Sequence, residues 1–201
     1  MFFRSLVHES DGVRKMEFFD VVDEIGNPTG EIKERTAVHR DGTLHRTAHV
    51  WIGRRQPETG KIQVLLQKRS ACKDSYPGCY DISSAGHIPA GVDYLPSALR
   101  ELKEELGIQA AAEDLRFLFY HKGYCEDIFY GEMFRNYEYS AIYLYIKPVE
   151  ADNLVLQKEE VESVKWFDYE EVLPDVAGKS REYCIYPDEF EKLGEYLEMY
   201  L

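Results

Sequence analysis

No stretch of this 201-residue chain approaches the ~20 consecutive apolar residues that a bilayer crossing requires. The first fifteen residues, MFFRSLVHESDGVRK, carry charge throughout and lack a small-residue cleavage site, so no leader is expected there. Positive charge is scarce: 24 Lys and Arg stand against 37 Asp and Glu, a net charge of −13. That balance excludes a nucleic-acid-coating surface, which needs clustered cations. It also means that a phosphorylated ligand would be repelled unless a metal cation stood between it and the protein. Cysteine is sparse too. Cys72, Cys79, Cys125 and Cys184 show no CxxC spacing, and a chain of this size needs no stapling, so free thiols and a cytoplasmic setting are expected. Internal repeats and low-complexity tracts are absent.

What the chain does have is 44% hydrophobic and 13% aromatic residues, ample for a packed core. EFFDVVD alternates like a strand, and EIGNPTGEI after it has turn composition. EIKERTAVHRDGTLH, ending at His45, reads as a short helix or loop with a DG turn. RTAHVWIGRR and KIQVLLQKRS read as strands joined by a QPETG hairpin loop. Residues 75–91 are rich in Gly, Pro and Ser and read mostly as loop.

From Asp93 to Leu106 the period becomes helical, with Leu95, Ala98, Leu99, Leu102 and Leu106 forming one apolar stripe. Asp93 is the expected N-cap, Pro96 is tolerated in the first turn, and Gly107 ends the helix. RFLFYHKGY, NYEYSAIYLYIK and SVKWFDYEEV suggest further strands, the last running into a short helix. PDEFEKLGEYLEMYL reads as an amphipathic C-terminal helix. Strands on both sides of a central helix, without regular βαβ alternation, favour a mixed α/β sandwich.

The polar side of the central helix carries Arg100, Glu101, Glu104 and Glu105. Residues three and four apart share a helical face, so the three carboxylates are expected to converge. Two unit charges 4 Å apart repel by roughly 4 kcal/mol at an effective dielectric of 20. Full solvation relieves this, and so does a divalent cation. A hard cation prefers oxygen ligands and bridges carboxylates to phosphate oxygens.

Gly86 precedes Arg100-Glu101-Leu102-Lys103-Glu104-Glu105-Leu106-Gly107-Ile108 by fourteen residues. This resembles the Nudix box, G-x5-E-x7-R-E-U-x-E-E-x-G-U, with U aliphatic. One position departs: Val92 stands where the box has a glutamate that braces the arginine, so Arg100 needs another partner. The resemblance implies an α/β/α sandwich with a mixed sheet and a loop-helix-loop. On it, residues 1–45 form an N-terminal extension with a β-hairpin, 46–170 the Nudix domain, and 171–201 a C-terminal helical segment.

Over roughly residues 17–170 the chain also looks like the Nudix branch related to isopentenyl-diphosphate isomerase. That branch contains hydrolases and isomerases. The isomerase has a catalytic Cys before its Gly-His pair, and here that place, before Gly86-His87, is Ala85. Asn136 replaces its second acidic metal ligand, whereas Glu101, Glu104 and Glu105 are intact. The resemblance therefore implies hydrolysis of a diphosphate bond in a nucleoside diphosphate, free or linked to another moiety. Isomerase-like activity and a non-catalytic nucleotide-binding module are the alternatives.

The resemblance further implies Mg²⁺ or Mn²⁺ on Glu101, Glu105 and the Ala85 carbonyl, with Glu104 nearby and Arg100 in the catalytic set. The general base is either a box glutamate or a later acid. Glu138 is the choice for the latter, ahead of Glu126, Asp127 and Glu132. Lys68, Arg69, Gly86 and His87 are expected near the substrate phosphates. His39, His45 and His87 match positions that hold metal in the isomerase, although hydrogen-bonded structural histidines are the simpler expectation. His8, His49 and His121 carry no functional expectation, and Cys79 is expected to be a packed loop thiol. Among the aromatic residues at 117–145, one or two are expected at a pocket. The expected partner is a small-molecule diphosphate, with no nucleic acid or membrane, and the aromatic content is compatible with a homodimer.

Overall fold

The computed structural model describes residues 16–201; His8 and the start of the expected N-terminal extension lie outside the described residues. The centre of the molecule is β3 (His45–Arg55), an eleven-residue strand buried over nine positions. Its first part pairs in parallel with β8 (Glu132–Tyr145) and antiparallel with the short β6 (Ser84–His87). Its last residues pair with β4 (Ile62–Arg69), which in turn pairs with β9 (Val161–Asp168) and β5 (Tyr80–Asp81). β7 (Leu115–Phe129) closes a long hairpin with β8. The hairpin β1 (Phe18–Val22) and β2 (Pro28–Glu34) joins the sheet through Val21 opposite His45. The result is a nine-stranded mixed sheet.

Strand alternation splits the core into two layers. Ala48, Val50, Ile52, Ala141 and Tyr143 face α2 (Tyr94–Leu106), whose Ala98, Leu102 and Leu106 are fully buried. Trp51, Val64, Leu66, Ile142 and Leu144 face the opposite side, covered by α3 (Tyr169–Ala177) and α4 (Pro187–Tyr200) through Val172, Val176, Phe190 and Leu193. The mixed α/β sandwich expected from the strand and helix pattern is the observed architecture. A short α1 (Arg35–Asp41) follows β2, capped at its start by the Glu34 side chain and at its end by Gly42 in the left-handed conformation. None of the described helices is long and apolar enough to cross a membrane.

Residues 75–91 are mostly loop, as expected, apart from the short β5 and β6, for which β4 and β3 offer partners that outweigh the poor strand propensity of Gly and Ser. Two local expectations need correction. Asp93 occupies the N-cap of α2, but its side chain makes no capping hydrogen bond. Glu126, Asp127 and Glu132 lie within the β7–β8 hairpin rather than in a loop. Tyr130 (φ 52°) and Gly131 (φ 85°) turn that hairpin in two residues, the primed geometry that suits twisted strands. Tyrosine is a rare occupant of positive φ, so the turn left little signal.

Leu102 sits at the centre of the layer between α2 and the sheet. Leu102→Ala is expected to destabilise the protein by about 2–5 kcal/mol, the cost of a cavity in a packed core. Urea unfolding of the variant against the parent measures it.

Candidate active site

One large cleft, about 1150 Å³, opens between β6, α2, the β7–β8 hairpin and the segment leading into α4. Gly86 and Glu101 meet on its wall. A Cβ built on Gly86 would collide with the Glu101 side chain, so glycine here lets that carboxylate lie against β6. That approach brings the box carboxylates against the strand.

The three glutamates do not share one environment. Glu105 is buried, its Oε2 accepting from Ser84 Oγ at 2.6 Å and from the Ala85 N–H at 3.2 Å. Glu101 is largely buried and accepts from Arg100 Nη2 at 2.6 Å. Glu104 reaches the cleft rim but is about half exposed, and pairs with Arg100 Nη1 at 3.2 Å. All three line the cleft, two of them largely buried and Glu104 at its rim. Burial raises the Glu105 carboxyl to about 8, with the Glu101 charge adding to it. Burial likewise raises Glu101 to about 7, against the pull of Arg100. Among the described residues no cation lies within ion-pair distance of Glu105.

Arg100 supplies its own answer to the missing box glutamate. It bonds Glu101, Glu104 and the His87 carbonyl (3.3 Å), which fixes the helix to β6. Val92 instead packs its side chain against the α2 layer, and its carbonyl accepts from Arg46 Nη2 at 2.9 Å. Arg46 pairs with Asp20 at 2.6 Å, so an ion pair to β1 braces the loop before α2.

Glu138, expected ahead of a strand, lies inside one. It is buried within the central strand β8, opposite His45 of β3, and accepts from the Tyr186 hydroxyl at 3.3 Å. His39, His45 and His87 gather beside it, with one ring nitrogen from each within 4.8 Å of the others. Nε2 of His87 is 3.2 Å from Nε2 of His39, and Nε2 of His45 is buried without a partner. Burial first, then the neighbouring positive charges, pushes His39 down to about 3 and His87 well below its usual range, so these rings are neutral. Phe19 stacks on His87 and Phe134 on His39, which hold the rings in place.

Of the expected phosphate contacts, Arg69, Gly86 and His87 line the cleft. Arg69 is committed to Asp81 at 2.8 Å and to the Ser75 carbonyl. Lys68 does not line it. Strand alternation turns Lys68 outward to Glu162, 3.0 Å away. Of the aromatic residues, Tyr124, Phe129 and Phe134 line the cleft, Phe119 is core, and Phe117, Tyr120 and Tyr130 are exposed. Cys79 lies at the cleft, its thiol donating to the Arg181 carbonyl, and burial raises it. Four cleft residues gave no sequence signal: Lys73, paired with Glu160, and Tyr76, Tyr186 and His49. His49 and Tyr186 reach the site from elements remote in sequence from the box, and Lys73 and Tyr76 from the loop ahead of it, where no spacing marks them.

A family model described as the NUDIX domain matches residues 43–188. Among known proteins, Nudix hydrolase 3 of Arabidopsis thaliana is 46% identical over 157 residues, 77% of this chain but only 20% of that protein. An uncharacterised Nudix hydrolase of Clostridium acetobutylicum is 37% identical over 145 residues, 72% of this chain and 66% of its own length. The chain thus spans about a fifth of the first relative and just under two thirds of the second. Among solved structures, a Deinococcus radiodurans protein superposes with a TM-score of 0.66 at 16% identity, covering 88% of this chain and 98% of its own. The Nudix domain of Shewanella oneidensis NrtR, solved with ADP-ribose, gives 0.55 at 18% identity, covering 76% and 87%. With a family model spanning most of its length and the box carboxylates drawn into a cleft against Gly86, the chain belongs to the Nudix family.

Proposed function

We propose that the protein hydrolyses a diphosphate bond in a nucleoside diphosphate, or in a nucleoside diphosphate linked to another moiety, with Mg²⁺ or Mn²⁺. The observation that carries this is the pair Glu101–Glu105, two largely buried carboxylates of α2 lining one cleft, of which only Glu101 has a cation, Arg100, within ion-pair distance among the described residues. Burying that much negative charge without a cation is costly. Hard oxygen donors on a rigid helix fit Mg²⁺ or Mn²⁺, with the Ala85 carbonyl as a further ligand. Such a metal lowers the pKa of a bound water and screens charge on the diphosphate. Arg100 holds Glu101 and Glu104 in place, and Glu138 is the proposed base, fixed by Tyr186 near the cleft floor. Arg69, Gly86 and His87 form the proposed phosphate wall; Lys68 is left out of it because it faces away. The free thiols agree with a cytoplasmic setting. Ala85, whose methyl cannot move a proton, argues against isomerase chemistry.

The histidine cluster favours a second reading beside the first. Three neutral imidazoles with converging nitrogens, one of them unpartnered, suit a transition metal with Glu138 completing the set. In that reading Glu138 is a ligand rather than the base. His39→Ala is expected to remove one of two Co²⁺ equivalents titrated optically, while Glu105→Gln removes the other.

A panel of nucleoside diphosphates and their conjugates, assayed with Mg²⁺ and Mn²⁺, tests the main proposal. Glu105→Gln is expected to lower kcat about a hundredfold or more, since metal charge stabilisation amounts to several kcal/mol. Equal slow turnover by parent and variant would overturn it.

The raised carboxyls set a pH dependence. Their folded pKa values exceed the usual glutamate value, so in metal-free protein the stability they confer is complete below about pH 4.5 and is lost as pH rises through about 7 to 8. Metal must displace those protons to bind. The increase in Tm on adding Mn²⁺ is therefore expected to be larger at pH 8.5 than at pH 6. Paired thermal melts with Mn²⁺ or with EDTA measure it.

A further inference from the structure

Glu189 lies in the first turn of α4 with no exposed surface, and no lysine or arginine pairs with it among the described residues. Its carboxylate takes Nδ1–H of His49 at 3.0 Å and Nε1–H of Trp51 at 2.9 Å, and lies 3.3 Å from Nδ1 of His121. His121 Nε2 is in turn 2.9 Å from Asp188. A carboxylate at that depth requires a buried positive partner, and these imidazoles are the groups available. Glu189, which burial would raise, is held at about 2 by His49 and His121.

The other edge of His49 belongs to the cleft. His49 sits on β3 opposite Ala85 of β6 and lines the cleft floor. Its Nε2 has only a long contact, 3.4 Å, to Thr47 Oγ1, a hydroxyl already held 2.7 Å from Ser140 Oγ. Of the other cations that line the cleft, Arg35, Arg69, Lys73 and Arg100 are paired with acids, whereas Lys179 and Arg181 have no acid within ion-pair distance among the described residues. His49 differs from the paired ones in that its counter-ion lies behind it, on α4, and its Nε2 has no acid on it. The methyl of Ala85 keeps the neighbouring rung of the wall low.

We propose that His49 contacts the diphosphate: with Nδ1–H fixed on Glu189, its Nε2–H donates to a non-bridging phosphate oxygen, and Glu189 is the residue that positions it. This rests on the diphosphate reading above and adds a binding group from outside the box. It gives a strongly acidic chain a fixed donor for an anion that does not depend on a metal.

Two substitutions separate the two edges of the ring. His49→Asn keeps a donor at the place of Nδ1 and removes the one aimed at the cleft. His49→Gln keeps a donor near Nε2 and gives up the bond to Glu189. Binding of inorganic pyrophosphate is measured by calorimetry with Mn²⁺ present. His49→Asn is expected to weaken it tenfold or more while melting within a few degrees of the parent, and His49→Gln to weaken it less while melting lower. Glu189→Gln is expected to weaken binding by a similar factor to His49→Asn. A His49→Asn variant that binds pyrophosphate like the parent reduces the residue to a strut and overturns the proposal.

Should these variants fail to fold, ¹⁵N-histidine spectra of the parent decide. A shift of the His49 Nε2 resonance on adding pyrophosphate supports the proposal, and no shift overturns it. Hydrolysis of the nucleotide panel is scored separately. A parent that turns over nothing while Nε2 still responds refutes the hydrolase reading alone, and a parent that is active with a silent Nε2 refutes this proposal alone.

Discussion

The close approach of β6 to α2 is the constraint on which the site depends. With no side chain on Gly86, the strand lies against Glu101, and the backbone and hydroxyl donors of Ala85 and Ser84 come within reach of Glu105. Two carboxylates that would sit apart in water are thereby forced into a low-dielectric recess. Their raised proton affinity is the thermodynamic expression of that compression. The packing of Ala98, Leu102 and Leu106 under the helix supplies the free energy that keeps them there.

The molecule therefore has two chemically distinct walls around one cleft. One is acidic and comes from a single helix. The other is assembled from β3, β6 and β8, and carries imidazoles, Glu138 and small hydroxyls on adjacent rungs. The C-terminal helix closes the second wall from behind. Tyr186, just ahead of it, touches Glu138, and Glu189 on its first turn holds His49. Helix α4 thus serves the site as well as the core.

Much of the fold and part of the site were legible in the sequence, for identifiable reasons. The central helix showed itself through the period of its leucines, Gly107 and the spacing of its glutamates, all of which are local. β3 and β4 showed themselves through β-branched alternation. β6 did not, because Ser, Ala, Gly and His owe their strand geometry to β3 alone. The orientation of Lys68 depended on which face of β4 met the core, which its strand pattern alone did not fix. The brace from Arg46 to Asp20 and the Val92 carbonyl holds the loop before α2 from other elements, so inspection of the box could show only the gap at Val92. His49 gave no sign at all, since its meaning comes from a glutamate 140 residues away in sequence.

β3 runs through the middle of both core layers, with its odd-numbered residues turned to one side and its even-numbered residues to the other. Its even-numbered Ala48, Val50 and Ile52 are hydrocarbons packed under α2, while the odd-numbered side chains include His45, Thr47 and His49. Scaffold and reactivity are thereby written on opposite sides of the same ribbon. Reactive groups can be exchanged one rung at a time without disturbing the hydrocarbon layer, and the ribbon itself cannot slide, since a slip of one residue would bury the imidazoles under the helix. Diversification on such a frame proceeds by replacement at fixed addresses.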